Sequence, residues 1–169
     1  MTLDVSSDTA RRRLRDVLGT FATGVTVVTA LDEAGDPVGI TVNSFTSVSL
    51  SPPLILWCLS RESASLNAYC TARHFAINVL HESQQDLATR FASNERHKFA
   101  GLEGVTEGIS GVPLLANCVG QLQCTSRQSH DGGDHVILIG EVLAVQEAAG
   151  APLLFHRGRF AGLAQAEDA

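Results

Sequence analysis

The sequence predicts a mainly β protein, a β-barrel with α-helices at its periphery. Three observations carry that expectation. Short β-branched and apolar runs outnumber helical stretches. They sit in pairs around turn-forming residues, as antiparallel hairpins do. They also fail to alternate with helices, which argues against a doubly wound α/β fold. At 169 residues, the chain suits one domain spanning 1–169 with one sizeable core, and no repeat, low-complexity tract or linker divides it. Hydrophobic residues make up 44% and charged residues 18%, a balance that leaves surplus apolar surface for a second copy of the chain to cover.

Taken in order, a first helix is expected at residues 9–18, capped by Ser7 or Asp8 and ending near Gly19. Leu14, Val17, Leu18 and Phe21 follow the spacing of one helix face, leaving Arg11, Arg12, Arg13 and Arg15 as the wet face. The barrel should then run from about residue 21 to 163. Its first hairpin joins Val25-Thr26-Val27-Val28-Thr29 to Val38-Gly39-Ile40-Thr41-Val42 across the turn formers at 32–37. After Pro52-Pro53, the run Leu54-Ile55-Leu56-Trp57-Cys58-Leu59 has the length and composition of a fully buried strand. A polar loop at 60–65, a short helix at 66–72, a strand at 74–80 and a helix at 84–92 follow. The glycine-rich stretch 103–113 reads as a loop. Residues 117–127 alternate like a half-buried strand, Asp131-Gly132-Gly133-Asp134 supplies a turn, and 135–142 form the return strand. A pair at 153–155 and 159–161 closes the chain.

A net charge of −6 opposes binding to a phosphate backbone, so nucleic acid is not an expected partner. The opening residues lack the apolar core of a signal peptide and no apolar run reaches membrane-spanning length, which predicts a cytoplasmic protein with no membrane association. Cys58, Cys70, Cys118 and Cys124 form no C-x-x-C pair and no zinc-finger spacing. They read as free thiols, mostly buried, with Cys118 and Cys124 pointing into the same core because an even number of residues separates them.

The chain has neither a G-x-G-x-x-G after a strand nor a P-loop lysine, which excludes the common nucleotide cradles. Ser129-His130-Asp131 carries the three residue types of a hydrolytic triad, but neighbours on a strand point to opposite faces. His130 and His135 flank a tight turn, yet no third metal ligand has a suitable spacing, so a polar glycine turn is the better reading and no metal is expected. His135 stands out for another reason, as a polar side chain opening an apolar strand. Thr41-Val42-Asn43-Ser44-Phe45-Thr46-Ser47 brings hydroxyls and an amide directly after a strand, suited to a ring edge or to an ordinary polar loop. Ser60, Ser63 and Ser65 precede a helix start, suited to an anion or to capping. His156-Arg157-Gly158-Arg159 brings two guanidinium groups to alternate positions.

In their order along the chain these segments resemble the short-chain flavin reductase family, whose members bind FMN or FAD on a split β-barrel. The resemblance runs from Phe21-Ala22-Thr23-Gly24-Val25 to Arg157-Gly158-Arg159-Phe160. Its most specific pieces are Thr41 to Ser49 with Pro52-Pro53, Phe75-Ala76-Ile77-Asn78-Val79-Leu80, Lys98-Phe99-Ala100-Gly101, and Gly133-Asp134-His135 ahead of Gly140-Glu141-Val142. It looks most similar to the reductase components of two-component flavin-dependent monooxygenases.

The resemblance implies an NAD(P)H:flavin oxidoreductase. Thr41, Val42, Asn43 and Ser44 would contact the isoalloxazine edge and ribityl chain, and Cys58, Leu59, Ser60, Ser63 and Ser65 would receive the flavin phosphate. Phe91, Ala92, Lys98 and Phe99 would complete the phosphate and adenine side. His135, as the catalytic residue, would face the nicotinamide with His156, Arg157, Gly158, Arg159 and Phe160. Family members commonly carry a tyrosine where this chain has Phe160, which keeps the ring and loses a hydroxyl. The implied cofactors are FAD or FMN with NADH or NADPH, and the implied partners are a second copy of the chain and a separate monooxygenase that takes the reduced flavin. The same fold would also serve a flavin-binding electron carrier or redox sensor without fast NAD(P)H turnover.

Overall fold

The computed structural model describes residues 7–164. The reading of the first six residues as lacking a signal-peptide core lies outside them. Helix α1, Asp8–Leu18, begins one residue earlier than the spacing predicts, because Ser7 takes the cap and its Oγ accepts from the Ala10 N–H at 3.3 Å. The chain then runs through β1 (Thr23–Gly24), β2 (Thr26–Leu31), β3 (Pro37–Val42), β4 (Thr46–Leu50) and β5 (Pro53–Ser60). Helix α2 (Leu66–Thr71), β6 (His74–Val79), α3 (Gln85–Ala92) and the two-residue strands β7 (Thr106–Glu107) and β8 (Pro113–Leu114) follow. Two long strands, β9 (Gly120–Gly132) and β10 (His135–Glu147), precede the closing pair β11 (Leu154–His156) and β12 (Arg159–Ala161).

Seven strands form one antiparallel sheet in the order β3-β2-β6-β9-β10-β5-β4, and β1-β11-β12 form a second. The two edges of the large sheet, β3 and β4, are consecutive in the chain. Asn43, Ser44 and Phe45 join them, and β3 comes up against β5 where the sheet curls round. No ladder joins β3 to β4, so the barrel is split along that seam. The expected mainly β split barrel with peripheral helices is what the chain forms.

Alternation explains the interior. Ile55, Trp57 and Leu59 of β5 and Val136 and Leu138 of β10 turn inward and pack with Val28, Phe75, Ile77 and Tyr69. Trp57 meets Tyr69 edge-on with ring centres 5.1 Å apart, and the Tyr69 hydroxyl donates to the Val28 carbonyl at 2.7 Å. Strand β2 is buried on both faces, which its unbroken β-branched run anticipates. Val27 faces a second cluster with Leu80, Ala88, Phe91 and Leu115. Asn78 ties this outer layer down, donating to the Val27 carbonyl at 3.1 Å and the Thr29 hydroxyl at 3.2 Å while accepting from the Leu115 N–H at 3.0 Å and Gln121 at 2.8 Å.

Several expectations need correction. Cys124 lies in the barrel core but Cys118 lies in the outer cluster, because the strand starts only at Gly120 and Cys118 falls before it, outside the alternation that equal spacing assumes. Nor are the thiols mostly buried: Cys70 is exposed and Cys58 half-buried. Thr46–Leu50 is a strand, although the sequence offers only a polar stretch ending at Ser47 and no strand signal beyond it, since its ladder to β5 supplies the backbone bonds that its sequence does not advertise. Strand β9 extends to Gly132, leaving a two-residue turn at Gly133-Asp134, where Gly133 supplies a φ of 77°. On α1 only Ala10 is buried, so the apolar stripe of Val17, Leu18 and Phe21 remains uncovered at 61–77% exposure.

Candidate functional site

The seam of the barrel gathers the expected residues from several elements. The Ser44 hydroxyl accepts from the Cys58 N–H at 2.9 Å and donates to the Cys58 carbonyl at 3.1 Å, joining the end of β3 to the end of β5. Ser60 pairs with His135 across β5 and β10, which brings the strand-following segment, the serines and His135 to one region. Cys58, Leu59 and Ser60 close a strand rather than lying in a loop, and the Leu59 side chain is buried in the core, so only its backbone can meet a ligand. The Ser60 hydroxyl accepts from the Glu62 N–H at 3.2 Å and that of Ser63 from the Ser65 N–H at 3.3 Å. Ser65 stands at the start of α2 without making a side-chain cap.

At the β9–β10 tip, His135 Nδ1 lies 2.7 Å from Asp134 Oδ1. An ionised carboxylate can only accept, so Nδ1 carries the hydrogen and Nε2 is the ring atom left for a ligand. The bond to His135 is the first cause holding the Asp134 carboxyl below its ordinary value. Arg61 secures the same tip, donating to the Gly133 carbonyl at 2.9 Å and pairing with Asp131 at 3.3 Å. His130 stands on β9 opposite Ile137 and turns to Gln128, 3.3 Å away.

Phe91 is fully buried and does not present its ring to a ligand. It lies so close to β3 that a Cβ on Gly39 would stand 2.3 Å from its Cε1, and its ring centre is 5.0 Å from that of Phe99. Lys98 Nζ donates to the Phe91 carbonyl at 2.8 Å and the Gly39 carbonyl at 3.3 Å, so two of its three donors tie α3 to β3. Burial draws the Lys98 ammonium below its usual range, with the charge of Glu95 opposing. Thr41 Oγ1 donates to the Ala88 carbonyl of α3 at 2.7 Å, and Val42 is half-buried beside it. Ala92, at the end of α3, is exposed.

A cleft of about 330 Å³ opens at the seam, lined by Asn43 with Phe155 and Gly158 from the final hairpin. Arg15, Leu18, Gly19 and Phe21, from the end of α1 and just beyond it, and Thr23 complete it. The Thr23 hydroxyl is closed off from water with no hydrogen-bond partner. A larger cleft of about 410 Å³ near Pro37 and Val105 contains only Phe99 of the expected residues, so residue chemistry selects the smaller one. Phe160 packs edge-on against Phe155 at 5.6 Å, while His156, Arg157 and Arg159 are exposed around the β11–β12 turn. The sequence did not mark Arg15, Phe21 and Thr23 as site residues. Their only local signal is an apolar stripe that continues to Phe21, beyond the end of the helix.

Residues 18–164 match the family described as flavin reductase like domain. The chain is 42% identical over 153 residues to the reductase subunit of a flavin-dependent monooxygenase of Rhodococcus jostii, covering 90% of this chain and 77% of that protein. It is 45% identical over 149 residues to an FMN reductase (NADH) of Agrobacterium fabrum, covering 88% and 84%. Some relatives are longer, and the chain spans 48% of a probable flavin reductase of Rhizobium meliloti. Among solved structures, an NADH:FAD oxidoreductase of Streptomyces globisporus in complex with NAD and FAD fragments superposes with a TM-score of 0.89 at 38% identity, covering 98% of this chain and 100% of that one.

Proposed function

The chain belongs to the flavin reductase like domain family, and from that premise we propose that it is an NAD(P)H-dependent flavin reductase, taking NADH or NADPH and FAD or FMN and supplying reduced flavin to a separate monooxygenase. The observation that carries this reading is the cleft in which Asn43 and Gly158, far apart in the chain, meet beside the orphaned Thr23 hydroxyl. Its walls fit such ligands: Leu18, Phe21 and Phe155 offer apolar and aromatic surface to a flat ring, and Asn43, Thr23 and Arg15 offer polar groups at its edge.

When bound, the nicotinamide supplies the hydride and the flavin accepts it, so the redox chemistry belongs to the ligands. The chain supplies orientation and exclusion of water. Thr41 to Ser44 hold the ring edge, Ser60 to Ser65 the phosphate, and Lys98 adds positive charge with its one remaining donor. His135, its Nδ1 fixed by Asp134, would hold the nicotinamide side through Nε2, together with the turn at Arg157 and Gly158. No side-chain acid is required for hydride transfer, so single substitutions weaken turnover rather than abolish it.

Residues 1–169 form one domain in this reading, and the enzyme acts as a homodimer in the cytoplasm, where an exposed thiol such as Cys70 stays reduced. The uncovered Val17, Leu18, Phe21, Leu50 and Val145 support the dimer, since exposed apolar side chains of this size mark interaction surfaces. Among the described residues no helix is long and apolar enough to cross a membrane.

The test is to record the visible spectrum of the purified protein and follow NADH and NADPH oxidation with FMN or FAD added separately. Rapid flavin-dependent oxidation supports the reductase. Bound flavin without turnover favours the carrier or sensor, and the absence of both binding and turnover overturns the reading. Light scattering at twice the chain mass supports the dimer.

A further inference from the structure

We propose that Arg15, on the last turn of α1, binds the pyrophosphate of a dinucleotide ligand, with the Thr23 hydroxyl as a second contact in the same cleft. The inference rests on the flavin reductase reading and assigns a ligand contact to a helix whose arginines the spacing leaves on a solvated face.

Four observations converge on it. Among the described residues, Arg15 is the only charged side chain lining the cleft that contains Asn43 and Gly158. It is exposed and, among the described residues, forms no ion pair, whereas Arg11 on the same helix pairs with Asp8 at 3.5 Å. A guanidinium left unpaired in a concave site presents several donors in a fixed fork, the geometry that suits phosphate oxygens. Second, the Thr23 hydroxyl in that lining is shut from water and has no partner. An unmade hydrogen bond of this kind is costly, and a polar ligand atom in the cleft would satisfy it.

Third, the turn carrying Arg15 is held in place. The Gly19 N–H donates to the Arg15 carbonyl at 2.7 Å, and the Gly19 carbonyl accepts from the Arg157 N–H at 2.8 Å. Arg157 and Gly158, with φ of 48° and 76°, form the tight β11–β12 turn that this bond docks on the end of α1. Fourth, the charge of Arg15 reaches Asp134, adding slightly to the dominant effect of His135 on that carboxyl. The end of α1 and the His135 tip therefore lie near enough for their charges to be felt.

NAD(P)H and FAD both carry a pyrophosphate, whereas FMN carries a single phosphate, so three titrations separate the sources. Binding of NADH, FAD and FMN to wild type, Arg15→Ala, Arg15→Lys and Arg12→Ala is measured by ligand fluorescence, alongside the KM for NADH and kcat. Loss of a charge-assisted contact is expected to weaken the affected ligand about tenfold or more. Arg15→Lys should recover part of the loss, and Arg12→Ala should match wild type.

A rise in the NADH Kd and KM that exceeds the fall in kcat, with FMN binding intact, supports the assignment with the nicotinamide dinucleotide as the ligand. Weakened FAD binding with intact FMN binding supports it with the flavin dinucleotide as the ligand. Unchanged binding of both dinucleotides overturns it, as does an equal loss of FMN and FAD or a lowered melting temperature that accounts for the effect. A wild-type protein that turns over normally while Arg15→Ala behaves like it leaves the reductase reading standing and removes Arg15. A wild-type protein that binds none of the three ligands overturns both.

Discussion

The Ser44 hydroxyl is bonded to both backbone polar groups of Cys58, accepting from the N–H and donating to the carbonyl. It completes the row that β4 makes with β5 one step beyond Thr46 and Leu56. Ser44→Ala leaves both Cys58 groups unpaired where the chain is half-buried, at a cost of about 1–3 kcal/mol. A lower urea midpoint with an unchanged m-value is the expected result, together with weaker binding of FMN and FAD alike. Full stability in Ser44→Ala would mean that water replaces the hydroxyl without loss.

His135→Ala is expected to raise the KM for the nicotinamide more than it changes flavin affinity, because Asp134 holds Nδ1 and leaves Nε2 free for a ligand. An unchanged KM removes His135 from the site. The Asp134 carboxyl is depressed, first by its bond to His135. Its charge is therefore kept as pH falls through the ordinary carboxylate range and is lost only below it. Asp134→Asn should raise the same KM by less than His135→Ala, and steady-state kinetics between pH 5 and 8 should show no step from this carboxyl.

Asn78 satisfies four partners from one buried side chain and holds residue 115 against β6. Asn78→Ala strands those groups and opens a void, which should destabilise the fold by about 3 kcal/mol or more. Chemical denaturation measures the loss. Asn78→Asp should also destabilise, since it replaces two donors with a buried negative charge.

The four thiols should separate by reactivity. Burial pushes Cys118 and Cys124 up to about 12, with a hydrogen bond from Gln84 partly opposing the shift at Cys118. At pH 8 their thiolate fraction is negligible. Burial also raises Cys58, with Ser44 opposing, whereas Cys70 is exposed. Iodoacetamide at pH 8 should label Cys70 first, Cys58 more slowly, and Cys118 and Cys124 only on unfolding, as read by peptide mass spectrometry.

The strands with strong local signals were legible in the sequence. The β-branched run of β2, the apolar run of β5 and the glycine turn after β9 all mark themselves through composition. Strand β4 did not, because Thr46–Leu50 is exposed at nearly every position and owes its conformation to the ladder with β5. Among the proposed site residues, Asn43 and Ser44 follow β3 and His135 opens β10, as their segments suggested, whereas Phe91 turned out to be core. The reason is Gly39, whose missing side chain admits the Phe91 ring onto β3, a contact between segments that no local pattern encodes. The cleft around Arg15 and Thr23 was hidden for the same reason, since three distant pieces of chain build it.

The place of β10 in the large sheet, between β9 and β5, bears on how the protein emerges from the ribosome. Until residues 135–147 are available, β5 has only β4 beside it, and its apolar run presents a bare edge. Nascent or prematurely terminated chains ending before residue 135 therefore expose a strand prone to self-association, and the barrel acquires its seam only late in synthesis.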